Sequence, residues 1–275
     1  MALIRARVSG DALPADIAGW SGIWQLYLEP RQATADGLYV IAHLGQSLDG
    51  KIAAANGQSC FVTGEDDLLH MHRLRALVDA VVVGAGTVFH DDPRLTVRLC
   101  HGPSPVRVVL DPSRRLGTDY RVFRDDGPRT LLLTLPGRGG NGRHGRAEVL
   151  EVGAADDGCY CPRAVLGVLA AQGLPRLMIE GGGATVARFW QARCLDRLDL
   201  CIAPVIIGKG RDALPLPSVQ SMDEAERFQP ERLALGPDSL HVLRRSRPPL
   251  GLGKKEQVAV AHPHAGRRGM SLPAP

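Results

Sequence analysis

Along the chain, short apolar runs alternate with segments whose apolar positions recur every three or four residues. YVIAHLG (39–45), AVVVG (80–84), VRVVLD (106–111), TLLLTL (130–135) and RLMIE (176–180) are near-continuous runs. Such runs fill a sheet covered on both faces rather than one with a solvated side. Glu65 to Val78, Pro162 to Gln172 and Ala184 to Arg193 carry the helical period, with Thr63 or Asp66 as the cap of the first. LDLCIAPVIIG (198–208) reads as one long strand and LHVLRRS (240–246) as the last. SLDGK (47–51) places an Asp-Gly turn, a good hairpin turn, after the first strand. GRGGNGRHGR (137–146) reads as an exposed loop. Strands alternating with helices predict an α/β fold, a mainly parallel central sheet flanked by helices on both faces.

No linker interrupts residues 39–248, so they read as one domain behind an N-terminal extension, 1–38. Residues 249–275 have no period and read as a disordered basic tail. Aromatic residues make up only 4% of the 275, so Val, Leu, Ile and Ala must fill the core. The net charge is +4, but Lys254, Lys255, Arg267 and Arg268 stand against Glu256 alone in the tail. That is a local +3 and leaves the remainder at +1, without the basic stripe of a nucleic-acid binder. No apolar run approaches the ~20 residues of a membrane span. The start, MALIRARVSGDALPADIAGW, lacks the apolar core of a signal peptide, so a cytoplasmic location is expected. Cys60, Cys100, Cys159, Cys161, Cys194 and Cys201 are scattered, as reduced thiols are, and CYC (159–161) has no second pair at zinc spacing. No metal is expected.

Two apolar runs end in glycines and lead into helices: AVVVGAGTV, with Gly84 and Gly86, and RLMIEGGGATVARFW, with Gly181, Gly182 and Gly183. Ligands gather at the carboxyl ends of strands, and glycine lets a phosphate approach the backbone. Tight turns also need glycine for its φ alone. Two such turns suit an extended ligand such as a dinucleotide, although neither is G-x-G-x-x-G. Glu180, before the second turn, is either a solvated strand end or an acceptor for a base edge or hydroxyls. On the first helix Arg75 projects between Leu68 and Met71, inside the apolar arc. A guanidinium there needs an anion, either an acidic side chain or, with Arg98, a ligand phosphate. His70 and His72 do not share a helical face and read as unrelated. The motifs of zinc deaminases and of the nucleophile elbow are absent.

SLDGK (47–51), HRLRA (72–76), VGAGTVFHDDPRLTVR (83–98), VRVVLD (106–111), IEGGG (179–183) and IAPVIIGKG (202–210) follow one another in an order that resembles one family. It is the riboflavin-pathway pyrimidine reductase, the reductase half of the bifunctional riboflavin deaminase–reductase. The resemblance covers Tyr39 to Ser246. It implies a dihydrofolate-reductase-like fold, a homodimer, and NADPH-dependent reduction of 5-amino-6-(5-phosphoribosylamino)uracil at an imine on C1′ of its ring-opened sugar. By match to the motifs, Asp91 and Glu180 would be catalytic. Ser59, Arg75, Leu95, Arg98, Glu180 and His43 would hold the phosphorylated substrate, Arg75 and Arg98 as its phosphate clamp. Gly45, Phe61, Gly84, Thr87, Asp91, Gly182, Gly183, Ala184 and Thr185 would hold NADPH, with Ser113 and Arg114 on its 2′-phosphate. Asp92 would brace the turn. His43 departs from the family, whose strand carries Lys there; Lys is permanently charged near neutrality, whereas the ordinary imidazole pKa is about 6.5. Two other readings follow: an NADPH reductase of the same fold acting on another pyrimidine or a pterin, and a nucleotide-binding protein without catalysis.

Overall fold

The computed structural model describes residues 26–31, 34–59 and 62–250. In chain order its elements are β1 (Tyr39–Ser47), β2 (Lys51–Ala54), α1 (Glu65–Arg75), β3 (Ala80–Gly84), α2 (Ala85–Asp91), β4 (Val106–Leu110), α3 (Arg121–Arg124), β5 (Thr130–Thr134), β6 (Arg143–His144), β7 (Ala147–Glu151), α4 (Pro162–Ala171), β8 (Arg176–Glu180), α5 (Gly183–Gln191), β9 (Arg197–Ala203), β10 (Gly210–Asp212), β11 (Glu231–Leu235) and β12 (Asp238–Arg244). Ten strands form one sheet in the order β11-β12-β9-β1-β8-β3-β4-β5-β7-β6. From β9 to β7 every neighbour is parallel. The antiparallel pairs lie at the two edges.

The apolar runs are continuous because alternate side chains go to two buried faces. Val40, Ala42 and Leu44 of β1 join Val82, Leu177 and Ile179 on one face, under Leu166 and Leu169 of α4 and Phe189 and Trp190 of α5. Tyr39, Ile41 and Met178 turn to the other face, under Leu74 of α1. Farther along, Val81 and Val83 pack with Val88 of α2 and Phe123 of α3. The same alternation carries His43, two residues after Ile41, and Glu180, two after Met178, to the α1 face. They are also register partners across β1 and β8.

Several local expectations change. The turn at Asp49-Gly50 forms, with Gly50 at φ 75°, but it does not close a hairpin. β2 pairs instead with β10 in a separate ribbon. The long strand 198–208 stops at Ala203, because Pro204 has no N–H to continue the ladder. The residues beyond it secure the turn: Leu48 N–H donates to the Val205 carbonyl (2.8 Å), and Asp49 accepts from the Ile207 and Gly208 N–H groups (3.1 and 2.6 Å). The loop 137–146 contains β6, which pairs with β7. Helix α1 ends at Arg75 rather than Val78, and its N-cap is Gly64, whose N–H donates to Asp238. Parts of the segments read as extension and tail are packed. Leu26 and Tyr27 are buried, as is Leu250, whose N–H donates to Asp36. Among the described residues no helix is long and apolar enough to cross a membrane.

Candidate active site

A cleft of about 890 Å³ opens over the carboxyl ends of β1, β3 and β8, where open parallel sheets bind ligands. Its floor holds both glycine turns, Gly84–Thr87 and Gly181–Thr185, with Ser59 and Asp91 on its wall. Close approach explains two of the glycines. A Cβ on Gly183 would overlap the Ala213 carbonyl oxygen, and one on Gly84 would overlap Thr185 Oγ1. The turns are tied together, since Thr87 Oγ1 accepts from the Gly182 N–H (3.0 Å). Ser59 Oγ donates to Asp91 Oδ1 (3.2 Å). Asp92, in the left-handed region at φ 38°, caps α2 and accepts from the Arg121 N–H (2.7 Å). The paired aspartates thus divide the work: Asp91 faces the cleft and Asp92 braces α3.

Behind the cleft lies a row of buried charge. Asp199, His43 and Glu180 are register partners across β9, β1 and β8, and α1 lays Asp67, His70 and Arg75 against them. Glu180 takes Arg75 Nε at 2.8 Å and also Arg75 Nη2. Asp199 takes both arms of Arg197 (2.8 and 2.7 Å) and His70 Nε2 (3.2 Å), while the Tyr27 hydroxyl donates to His70 Nδ1 (2.9 Å). Asp67 takes His43 Nε2 at 2.9 Å. Burial pushes the Glu180 carboxyl up, but the Arg75 guanidinium more than offsets it and holds the pKa below the usual value. Burial likewise opposes the charge on Asp67, yet His43 holds it down to about 2. Burial pulls the His43 imidazole down, and Asp67, with Asp199 and Glu180, raises it above the ordinary value. Burial, helped by the charges of His43 and Arg197, lowers the pKa of His70 and outweighs Asp199, which raises it, so the ring is neutral.

The structure brings together His43, Gly45, Ser59, Gly84, Thr87, Asp91, Glu180, Gly182, Gly183, Ala184 and Thr185 around the cleft. Five other candidates lie elsewhere. Arg75 is not on the wall; it is buried behind Glu180, which it pairs, and Nη1 donates to the Thr96 carbonyl (3.2 Å). Arg98 is exposed, its Nη1 donating to Oγ1 and the carbonyl of Thr96 (2.9 and 3.3 Å). The expected phosphate clamp is therefore two guanidiniums meeting at one carbonyl, with Arg75 neutralised by a side chain. Leu95 is a core residue at φ 54°, turned inward after Pro93. Ser113 is exposed off the cleft, and Arg114, at φ 49°, donates to the Arg138, Gly139 and Arg143 carbonyls. That left-handed residue turns the chain so that Arg115 reaches the cleft instead. Phe61 lies outside the described residues. Asp67 and Arg115 are among the cleft residues that sequence reasoning missed, as are His90, Tyr160 and Arg211. Asp67 had a signal, because it projects into the same helical arc as Arg75.

Comparison with known proteins identifies a family. The RibD C-terminal domain family matches residues 38–234. A 2,5-diamino-6-ribosylamino-4(3H)-pyrimidinone 5′-phosphate reductase of Methanothermobacter thermautotrophicus is 39% identical over 192 residues, 68% of this chain and 86% of that protein. One of the same name from Archaeoglobus fulgidus is 34% identical over 185 residues, 64% of this chain and 84% of that protein. The crystal structure of a diaminohydroxyphosphoribosylaminopyrimidine deaminase/5-amino-6-(5-phosphoribosylamino)uracil reductase from Thermotoga maritima superposes with a TM-score of 0.64 at 26% identity. It is matched over 81% of this chain, which spans about three fifths (59%) of that longer one. The match over most of the sheet, with the glycine turns and Glu180 inside it, shows that the chain belongs to the RibD C-terminal domain family, with its dihydrofolate-reductase-like fold.

Proposed function

We propose that this chain is an NADPH-dependent reductase of riboflavin biosynthesis. Its reaction is reduction at the ribosyl C1′ of 5-amino-6-(5-phosphoribosylamino)uracil, giving the ribitylamino product, and its domain is residues 39–248. The observation that carries this reading is the cleft itself, in which two tied glycine turns floor one side and the charged row of His43 and Glu180 backs the other. Gly84, Gly86 and Gly182 to Thr185 suit a pyrophosphate drawn against backbone. Arg115 takes the 2′-phosphate, a dianion matched by a guanidinium fork. When bound, NADPH supplies the hydride; the chain's residues orient the pyrimidine, exclude water and manage charge. Glu180, held ionised by Arg75, accepts from the pyrimidine's N–H groups or the sugar hydroxyls. Ser59 and Asp91 form the facing wall.

A second reading has one observation in its favour. Both archaeal relatives, matched over most of their length, carry the name of a reductase of the 2,5-diamino pyrimidinone, which differs from the uracil at C2. The test is NADPH oxidation with each pyrimidine. Faster turnover of the uracil supports the first reading and of the diamino compound the second. Tight NADPH binding with neither turned over points to another pyrimidine, a pterin, or no catalysis. In the same assay, Arg115→Ala is expected to raise KM for NADPH about tenfold, ~1.4 kcal/mol, and to leave KM for NADH unchanged. Equal changes would remove Arg115 from the 2′-phosphate.

A cytoplasmic location and a homodimer go with this function. The dimer reading rests on Leu48, 61% exposed, and Ile206, 74% exposed, beside Val205 at the Asp-Gly turn. Apolar side chains gathered on one surface mark an interface. Sedimentation is expected to show a dimer that Ile206→Asp converts to a monomer. A monomeric parent protein would refute it.

A further inference from the structure

Three carboxylates sit in or against the buried row behind the cleft, and they are neutralised differently. Glu180 has Arg75, and Asp199 has Arg197. Asp67 has no arginine; its sole ion-pair partner among the described residues is His43. Both members of that pair are almost sealed, at 4% and 3% side-chain exposure. A buried carboxylate with no cation would be strongly disfavoured, so the charge that satisfies Asp67 must be an imidazolium. Thr63 and Cys201 lie beside the same carboxylate and help to hold it ionised. The pair has a direction. Nε2 of His43 is bound to Asp67, whereas Nδ1 has no partner among the described residues and is not sealed off. His43 lines the cleft beside Glu180. The groups facing it are Asp67 and His70 of α1, Glu180 of β8 and Asp199 of β9. His70 is neutral between Tyr27 and Asp199, with its ring centroid 5.7 Å from that of His43. His43 is therefore the one side chain of the row whose cation, unlike the guanidinium of Arg75, can release a proton, and it reaches the cleft.

We propose that His43 is the acid of the reduction and that Asp67 is its positioning residue, an inference that rests on the reductase reading above. Reduction of the C1′ imine takes up one hydride and one proton. As the new C1′–H bond forms, the C=N π pair moves to nitrogen, and nitrogen takes the proton from His43 Nδ1. The ring is left neutral, still bound through Nε2 to the Asp67 carboxylate, and regains its proton from water. Such an acid contributes about 100- to 10,000-fold. Because it must be protonated, kcat falls as pH rises through the pKa of His43, which its neighbours keep above the ordinary imidazole value.

The experiment combines pH-rate profiles with an NMR titration of the 15N-labelled His43 ring in the full chain. The parent protein is expected to show a basic limb in kcat that coincides with the ring's titration. His43→Gln should lower kcat about 100- to 10,000-fold, abolish that limb and leave KM for the pyrimidine little changed. His43→Lys should recover part of kcat and move the limb toward the higher range of an amine. Asp67→Asn should lower the ring pKa and shift the limb down by the same amount. A parent protein that turns over neither pyrimidine overturns the reductase reading, and this inference with it. Normal parent turnover with a ring neutral at pH 7, or with the limb unmoved in both His43→Lys and Asp67→Asn, overturns the inference alone. Should His43→Gln not fold, those two variants and the titration decide.

Discussion

Replacing Arg75 by methionine is expected to destabilise the protein by about 3–5 kcal/mol at neutral pH, more than removal of any cleft-wall side chain. Met keeps much of the aliphatic stem, so the loss is mainly that of charge. Glu180 is left in a site with 8% exposure and no arginine. In the native protein its folded pKa lies below the unfolded value of about 4.3. It therefore contributes stability above that pH, which is lost as pH falls through the folded pKa. In Arg75→Met burial dominates and the folded pKa rises above 4.3. The variant then loses stability as pH climbs from the unfolded value to the folded one. The difference between native protein and variant must be larger at pH 7 than at pH 4. Urea unfolding at the two pH values measures it. Adding Glu180→Leu removes the stranded charge and should recover most of the stability while activity stays lost. Equal losses at both pH values, or a double variant no better than the single, would show that the pair does not act as described. Because Arg75 reaches substrate only through Glu180, KM should change alike for phosphorylated and dephosphorylated pyrimidine.

Arg75 also marks how far a sequence can be read. Helical projection says that it points inward and needs an anion. It does not say which anion, because Glu180 is 105 residues away and joins it only through the placement of β8 beside β1. The parallel strands were legible since two buried faces make continuous apolar runs. β7 (AEVLE), covered on its outer side only by the two-residue β6, and β11 (ERLAL), at the other edge, were not, because positions at or next to an edge let charged residues alternate with apolar ones. The ribbon of β2 and β10 left no pattern, with four and three residues. The glycine turns were legible as chemistry, and they do floor the cleft. Leu95 and Arg114 were misplaced for a common reason. Each takes a left-handed backbone, φ 54° and 49°, which reverses the side-chain direction and is invisible for residues that rarely adopt it. The row of Asp199, His43 and Glu180 is a property of register across three strands, and register between distant segments is fixed by packing rather than by local pattern.

The glycines of the two turns give the second large effect, in opposite senses. Gly183→Ala is expected to lower stability by about 1–3 kcal/mol, the cost of overpacking, and to weaken NADPH binding. Its new methyl would meet backbone, the Ala213 carbonyl oxygen and, at 2.9 Å, that of Asp212, and backbone cannot rotate aside. The segment that must shift carries β10 and the cleft wall at Arg211. Gly86 is different. It lies within α2, is exposed, has no positive φ, and a Cβ there meets nothing within 4 Å. The fold gives no reason for glycine, and alanine in a helix is better by about 0.5–1 kcal/mol. Yet Gly86 lines the cleft. If a dinucleotide is drawn against this backbone, Gly86→Ala gains stability and loses NADPH affinity, whereas Gly183→Ala loses both. Urea unfolding and calorimetric titration with NADPH separate the cases. A Gly86→Ala protein that is more stable and binds NADPH as tightly as before would mean the first glycine turn does not touch the cofactor, and the pyrophosphate would have to rest on Gly182 to Thr185 alone.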